Sequence, residues 1–209
     1  VVVHDLAERY GTPLYIYSKQ VLLDQLRRVK LAFAGVDLHI HYAVKANSNL
    51  AILNLLGRNG CGFDIVSGGE LARVIAAKGQ PEKIVFSGVG KTCDEINQAL
   101  AANIFCFNIE SLEELERIET LARQQQTIAP ICLRVNPNID ALTHPHITTG
   151  REDNKFGIPI MSCTQVCDVI KASRHLKLKG LAVHIGSQVS QIAPFQQALQ
   201  ALLDLAEHI

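Results

Sequence analysis

Residues 62–87 read GFDIVSGGELARVIAAKGQPEKIVFS. Phe63, Ile65 and Val66 make a short apolar, partly β-branched run. A helix is expected from Gly69, with Leu71, Val74 and Ile75 at helical spacing. Gly79-Gln80-Pro81 stops that helix, and Ile84-Val85-Phe86 opens a second apolar run. Two strands separated by a helix cannot form a tight hairpin, so they lie parallel, as a βαβ unit. The same unit recurs on both sides. A strand at 38–45 precedes a helix at 50–58, and strands are expected at 63–66, 84–87, 104–109, 131–136 and 178–185. Helices are expected at 69–78, 92–102, 111–124, 160–173 and 194–207, with Thr92/Glu95 and Ser111/Glu114 as start signals. Residues 137–157 read as a long polar loop. Upstream lie a helix at 3–10, a strand at 14–17 and a helix at 18–33.

Six strand–helix units are countable from residue 38, whereas a closed (β/α)8 barrel needs eight. The expected fold class is therefore α/β, a TIM-like barrel that is incomplete at about six of eight units. An open doubly wound sheet is the alternative. It is weakened because the strand His41-Tyr42-Ala43-Val44-Lys45 runs into Ala46-Asn47-Ser48-Asn49, not into a GxGxxG turn.

The 209 residues carry 20 basic and 20 acidic side chains, 48% hydrophobic and 19% charged. That is the composition of a packed globule and excludes a disordered chain. Balanced charge offers no footprint for nucleic acid or an anionic membrane surface. No apolar run approaches the roughly 20 residues of a membrane span, and no signal peptide is visible, so a soluble, cytoplasmic protein is expected. Of the cysteines at 61, 93, 106, 132, 163 and 167, Cys93, Cys106, Cys132 and Cys167 fall in apolar runs. Only Cys163 and Cys167 are close, so no zinc site is expected, and the thiols read as single buried side chains.

In a parallel barrel the loops at the C-terminal strand ends converge on one face, where chemistry collects. Here those ends carry Lys45, Asn47 and Asn49; Asp64, Ser67 and Glu70; Ser87 and Lys91; Asn108 and Glu110; Arg134 and Asn136; and His184, Gly186 and Ser187. The opposite loops, such as 35–37 and 78–83, carry plain turn chemistry. A lysine partly desolvated in a barrel mouth has a lowered pKa and can form a Schiff base. Asp64, set in an apolar strand, needs a partner, and a lysine from the neighbouring strand is the natural one. Ser187 after Gly186, at a strand-to-helix turn, suits a phosphate.

The stretch 42–49, YAVKANSN, resembles the cofactor-lysine motif of the diaminopimelate decarboxylases, alanine racemase-like enzymes of fold type III. The likeness continues through FDIVSGGEL (63–71), VFSGVGKT (85–92), LRVNPNID (133–140), THPHITTG (143–150), NKFG (154–157) and HIGSQ (184–188). The resemblance implies pyridoxal 5'-phosphate held as a Schiff base on Lys45. It implies decarboxylation of meso-2,6-diaminopimelate to L-lysine and CO2, the last step of lysine biosynthesis. His184 resembles the histidine that stacks on the cofactor ring, and Ser187 with Gly186 resembles part of the phosphate cradle. Asp64 and Glu70 resemble acids that orient the lysine and histidine, and Arg134 an arginine near the cofactor. Lys155 resembles a residue that pairs with the other subunit of a homodimer with shared active sites.

The resemblance also marks departures. A glycine-rich phosphate loop, an acid for the pyridine nitrogen, substrate-binding arginine and tyrosine, and a C-terminal β domain with its proton-donating cysteine are not found here. Residues 1–209 therefore read as an N-terminal portion of the barrel domain, inactive by itself. The competing readings are a related decarboxylase acting on ornithine, arginine or a carboxylated polyamine, a non-catalytic PLP-binding barrel, and a catalytically dead regulator.

Overall fold

The computed structural model describes residues 2–139 and 156–209. The chain divides into two compact units, Val1–His39 and Ile40–Ile209. The first holds helices α1 (Val3–Tyr10) and α2 (Lys19–Ala32), the latter started by the Ser18 hydroxyl, which accepts from the Val21 N–H at 3.4 Å. The strand expected at 14–17 does not form. Those residues join no ladder and Tyr15 is 84% exposed. Aromatic and β-branched residues favour a strand only where a partner edge receives their backbone groups.

In the second unit the sheet strands are β1 (His41–Ala43), β2 (Gly62–Ile65), β3 (Ile84–Phe86), β4 (Cys106–Ile109), β5 (Ala129–Asn136), β6 (Ile158–Pro159) and β7 (Leu176–Ala182). The helices are α3 (Leu50–Arg58), α4 (Gly68–Ala76), α5 (Cys93–Ala101), α6 (Leu112–Gln124), α7 (Cys163–Ala172) and α8 (Ala193–Ala206). Strands β1 to β5 pair in chain order, all parallel, and β7 pairs parallel with β5. The two-residue β6 adds only to the end of β5, at Val135 and Asn136. The six units read from the sequence are therefore present in barrel order.

Side chains alternate across a strand, and here the alternation separates core from site. Phe63, Ile65, Phe86, Phe107, Ile109, Ile131 and Leu133 are fully buried, in one cluster with Leu53, Val74, Ile96 and Ile118 of the helices. The intervening positions, Ala43, Asp64, Val85, Asn108, Arg134 and Ala182, share the other face. The register sets Ala43 against Asp64, Asp64 against Val85, and Arg134 against Ala182. Continuing the same parity past the strand ends adds Lys45, Ser87 and His184.

The starts of α4, α5 and α6 are local chemistry. Thr92 and Glu95 form a full capping box, and the Ser67 and Ser111 hydroxyls accept from the Glu70 and Glu114 amides. Cys61, Cys106, Cys132, Cys163 and Cys167 are buried, but Cys93 is exposed. It is the first residue of α5, between the Thr92 cap and Asp94, and this polar first turn faces outward rather than forming the apolar run expected for it. Burial pushes the Cys163 thiol up to about 12. Among the described residues no helix is long and apolar enough to cross a membrane.

Candidate active site

Lys45 sits just beyond β1, in a single 3-10 turn, Val44–Ala46. The rest of its motif braces that turn. Val44 is fully buried, and the Tyr42 hydroxyl donates to the Asn47 carbonyl at 3.3 Å. The Asn47 side chain accepts from the Asn49 amide at 3.0 Å, and Asn49 caps α3 through the Ala51 amide at 2.9 Å. Lys45 is thus held by its backbone while its own side chain stays exposed, not partly desolvated as expected.

A cavity of about 530 Å³ opens at this face. Lys45, Asp64, Arg134, His184 and Ser187 all line it, together with Ser87, Asn108 and Phe156. The expected partner of Asp64 is a lysine; among the described residues the Ser87 hydroxyl donates to its Oδ1 at 2.6 Å instead. Asn108 donates in turn to the Ser87 oxygen at 2.9 Å, so three adjacent strands are laced together. Arg134, buried, donates from Nη1 to both Glu110 oxygens at 2.7 and 2.8 Å, and its guanidinium lies 5.1 Å from the Phe156 ring centre.

Two expected site residues sit elsewhere. The Glu70 carboxylate accepts the Val66 N–H at 2.8 Å at the start of α4, and Glu70 is not among the cavity walls. It closes the first turn of α4 onto the residue before the Ser67 cap, which is local chemistry. Gly186 has φ +141, in the range that favours glycine, and lines a separate space of about 150 Å³ beside α8. Lys155 and the stretch 143–150 lie outside the described residues. Ser87, Asn108 and Glu110 were visible as strand-end polar groups but carried no assigned role. Their signal was position: Ser87 and Glu110 directly follow the apolar ends of β3 and β4, and Asn108 is the polar residue next to the end of β4.

His184 reaches solvent through the mouth, yet its ring is crowded by the walls. Burial first, then the positive charges of Arg134 and Lys45, push its pKa below the ordinary histidine value, against opposing pulls from Asp64 and Glu110. The shift favours the uncharged imidazole. Because the folded pKa lies below the unfolded one, the linked stability is present above about pH 6.5 and is lost as pH falls through the folded value. Solvent access keeps that contribution small. Proton NMR of the cofactor-free protein is expected to show His184 titrating below the ordinary histidine value of about 6.5; a midpoint at or above that value contradicts the assignment.

The sequence pattern of the pyridoxal-dependent decarboxylase, pyridoxal binding domain, matches residues 19–209. The chain belongs to this family. The diaminopimelate decarboxylases of Pseudomonas aeruginosa and Vibrio cholerae are 50% and 49% identical to it over 209 residues, 100% of this chain and 50% of each of theirs. Solved structures agree. Diaminopimelate decarboxylase from Helicobacter pylori complexed with L-lysine superposes with TM-score 0.96 at 42% identity, over 99% of this chain and 52% of that one. The enzyme from M. jannaschii in complex with L-lysine gives 0.91 at 37%, over 99% and 51%. The chain thus spans about half the length of the curated relatives it matches. A viral arginine decarboxylase, 20% identical with TM-score 0.81, shares the fold.

A pyridoxal-binding domain needs an amine for the cofactor aldehyde, polar donors for its anionic groups, and a cleft of ligand size. The cavity offers the Lys45 amine, the Arg134 guanidinium and the Ser187 hydroxyl, and its volume falls within the roughly 300–1,000 Å³ of small-molecule sites. The residues present fit pyridoxal 5'-phosphate.

Proposed function

We propose that this chain contributes the lysine-bearing side of the active site of a diaminopimelate decarboxylase, converting meso-2,6-diaminopimelate to L-lysine and CO2 in the cytoplasm. In this reading residues 1–209 are the N-terminal portion of a barrel completed by the rest of a longer, homodimeric enzyme. The observation that carries the reading is the meeting of Lys45, Asp64, Arg134, His184 and Ser187 on one cavity, at the C-terminal ends of parallel strands. The substrate assignment rests on the 49–50% identity to diaminopimelate decarboxylases.

When bound, pyridoxal 5'-phosphate accepts the electron pair left as CO2 departs. The chain's own groups do the holding. The Lys45 Nζ is the attachment point for the cofactor aldehyde. Asp64, fixed by the Ser87 hydroxyl, presents its carboxyl group to the same cavity as that amine. His184, shifted toward the uncharged form, offers a flat ring face. Ser187 receives the phosphate from the wall of the cavity, and Arg134 adds a fixed positive charge. Glu70 acts on the site only through the helix start it closes.

Borohydride reduction of the complete gene product loaded with pyridoxal 5'-phosphate tests the reading. The label is expected on the Lys45 peptide, with CO2 released from meso-diaminopimelate in preference to ornithine or arginine. Label on another lysine overturns the site. Labelled Lys45 with ornithine or arginine preferred overturns the substrate.

A further inference from the structure

Glu110 follows β4 immediately and is 5% exposed; Arg134, on the adjacent strand β5, is 8% exposed. A buried carboxylate is costly unless its lone pairs are filled. Here Arg134 Nη1 donates to both oxygens, and Oε1 also accepts the Gly88 amide at 2.9 Å. Gly88 has φ +97, and with Ser87 it forms the turn after β3. One side chain therefore ties two walls of the cavity together: the β3 turn that holds Asp64 through Ser87, and the β5 arginine. The backbone amide of Glu110 is itself held by Glu114 Oε2 at 2.8 Å, so the clamp is anchored from behind. Both bonds to Glu110 come from Nη1, and the guanidinium carbon lies 5.1 Å from the Phe156 ring centre. The clamp fixes where the arginine stands while Arg134 still lines the cavity.

We propose that Glu110 is a positioning residue that holds Arg134 and the Ser87–Gly88 turn in the arrangement the anionic cofactor requires. The proposal rests on the pyridoxal-phosphate reading of the cavity and goes beyond it by giving a task to a side chain outside the cavity lining. Without Glu110 the guanidinium keeps its charge but loses its fixed place, and binding energy is spent on ordering it.

Glu110→Gln tests this, because the amide keeps the size and can still accept from Gly88. It cannot accept from Arg134 on both atoms. Two readouts are taken on the complete gene product: the phenylglyoxal modification rate of Arg134 without cofactor, by peptide mass spectrometry, and the Kd for pyridoxal 5'-phosphate, by fluorescence titration. The variant is expected to modify several-fold faster at Arg134 and to bind the cofactor about tenfold more weakly, as loss of one charge-assisted hydrogen bond entails. Arg134→Met is expected to weaken binding similarly, and the double variant no further, because Glu110 acts through Arg134. A role in stability alone would lower the unfolding midpoint and leave Kd unchanged. Unchanged Arg134 reactivity, an unchanged Kd, or additive losses in the double variant each overturn the proposal. Those outcomes leave a borohydride label at Lys45 intact, whereas failure of the site reading appears as a wild-type protein without that label.

Discussion

Lys45→Ala is expected to abolish cofactor attachment and to lower decarboxylation of meso-diaminopimelate by at least about a thousandfold, the scale seen when a covalent catalytic group is removed. The reason is local. Tyr42, Asn47 and Asn49 fix the 3-10 turn through backbone and cap hydrogen bonds that do not involve the Lys45 side chain. The substitution therefore removes the amine and leaves the turn standing. The unfolding midpoint should move little while the borohydride label vanishes. Steady-state CO2 release and the absorbance of the bound cofactor measure both effects. Activity within tenfold of wild type would remove Lys45 from the mechanism.

Glu114→Ala is expected to cost about 3–5 kcal/mol of stability, the range for breaking a buried ion pair from one side. The Lys91 ammonium is fully enclosed and donates to Glu114 at 2.6 Å, to the Gly88 carbonyl at 2.7 Å and to the Asn108 carbonyl at 2.9 Å. Glu114 also receives the Glu110 amide. Removing the carboxylate leaves a buried cation with only neutral acceptors and frees the strand end that carries Glu110. Lys91→Met together with Glu114→Gln removes both charges and should recover most of the loss. Denaturant unfolding of the complete gene product reads both variants. A loss below about 1 kcal/mol for Glu114→Ala, the level of an exposed pair, refutes the buried-pair account.

These two sites show different degrees of legibility. The Lys45 motif is readable because each of its polar residues acts within a few positions of itself. Asn47 bonds two residues on, and Asn49 caps the next helix. The starts of α5 and α6 are readable for the same reason, since Thr92/Glu95 and Ser111/Glu114 act across three residues. Glu70 shows the converse. Its place at a strand end reads as a site acid, and only its hydrogen bond to the Val66 amide shows that it serves the start of α4. Residues 14–17 carry strand-forming side chains, but a strand exists only through its neighbour.

The amino-acid sequence by itself determined the alternation of strand and helix, the helix starts, and the row of polar residues at the strand ends, because each follows from periodicity or short-range hydrogen bonding. Which charge answers which was decided only by the tertiary structure. Arg134 meets Glu110 across 24 positions and Lys91 meets Glu114 across 23. Those pairings depend on the parallel register of β3, β4 and β5, and register is a property of strands brought side by side, which no local pattern encodes.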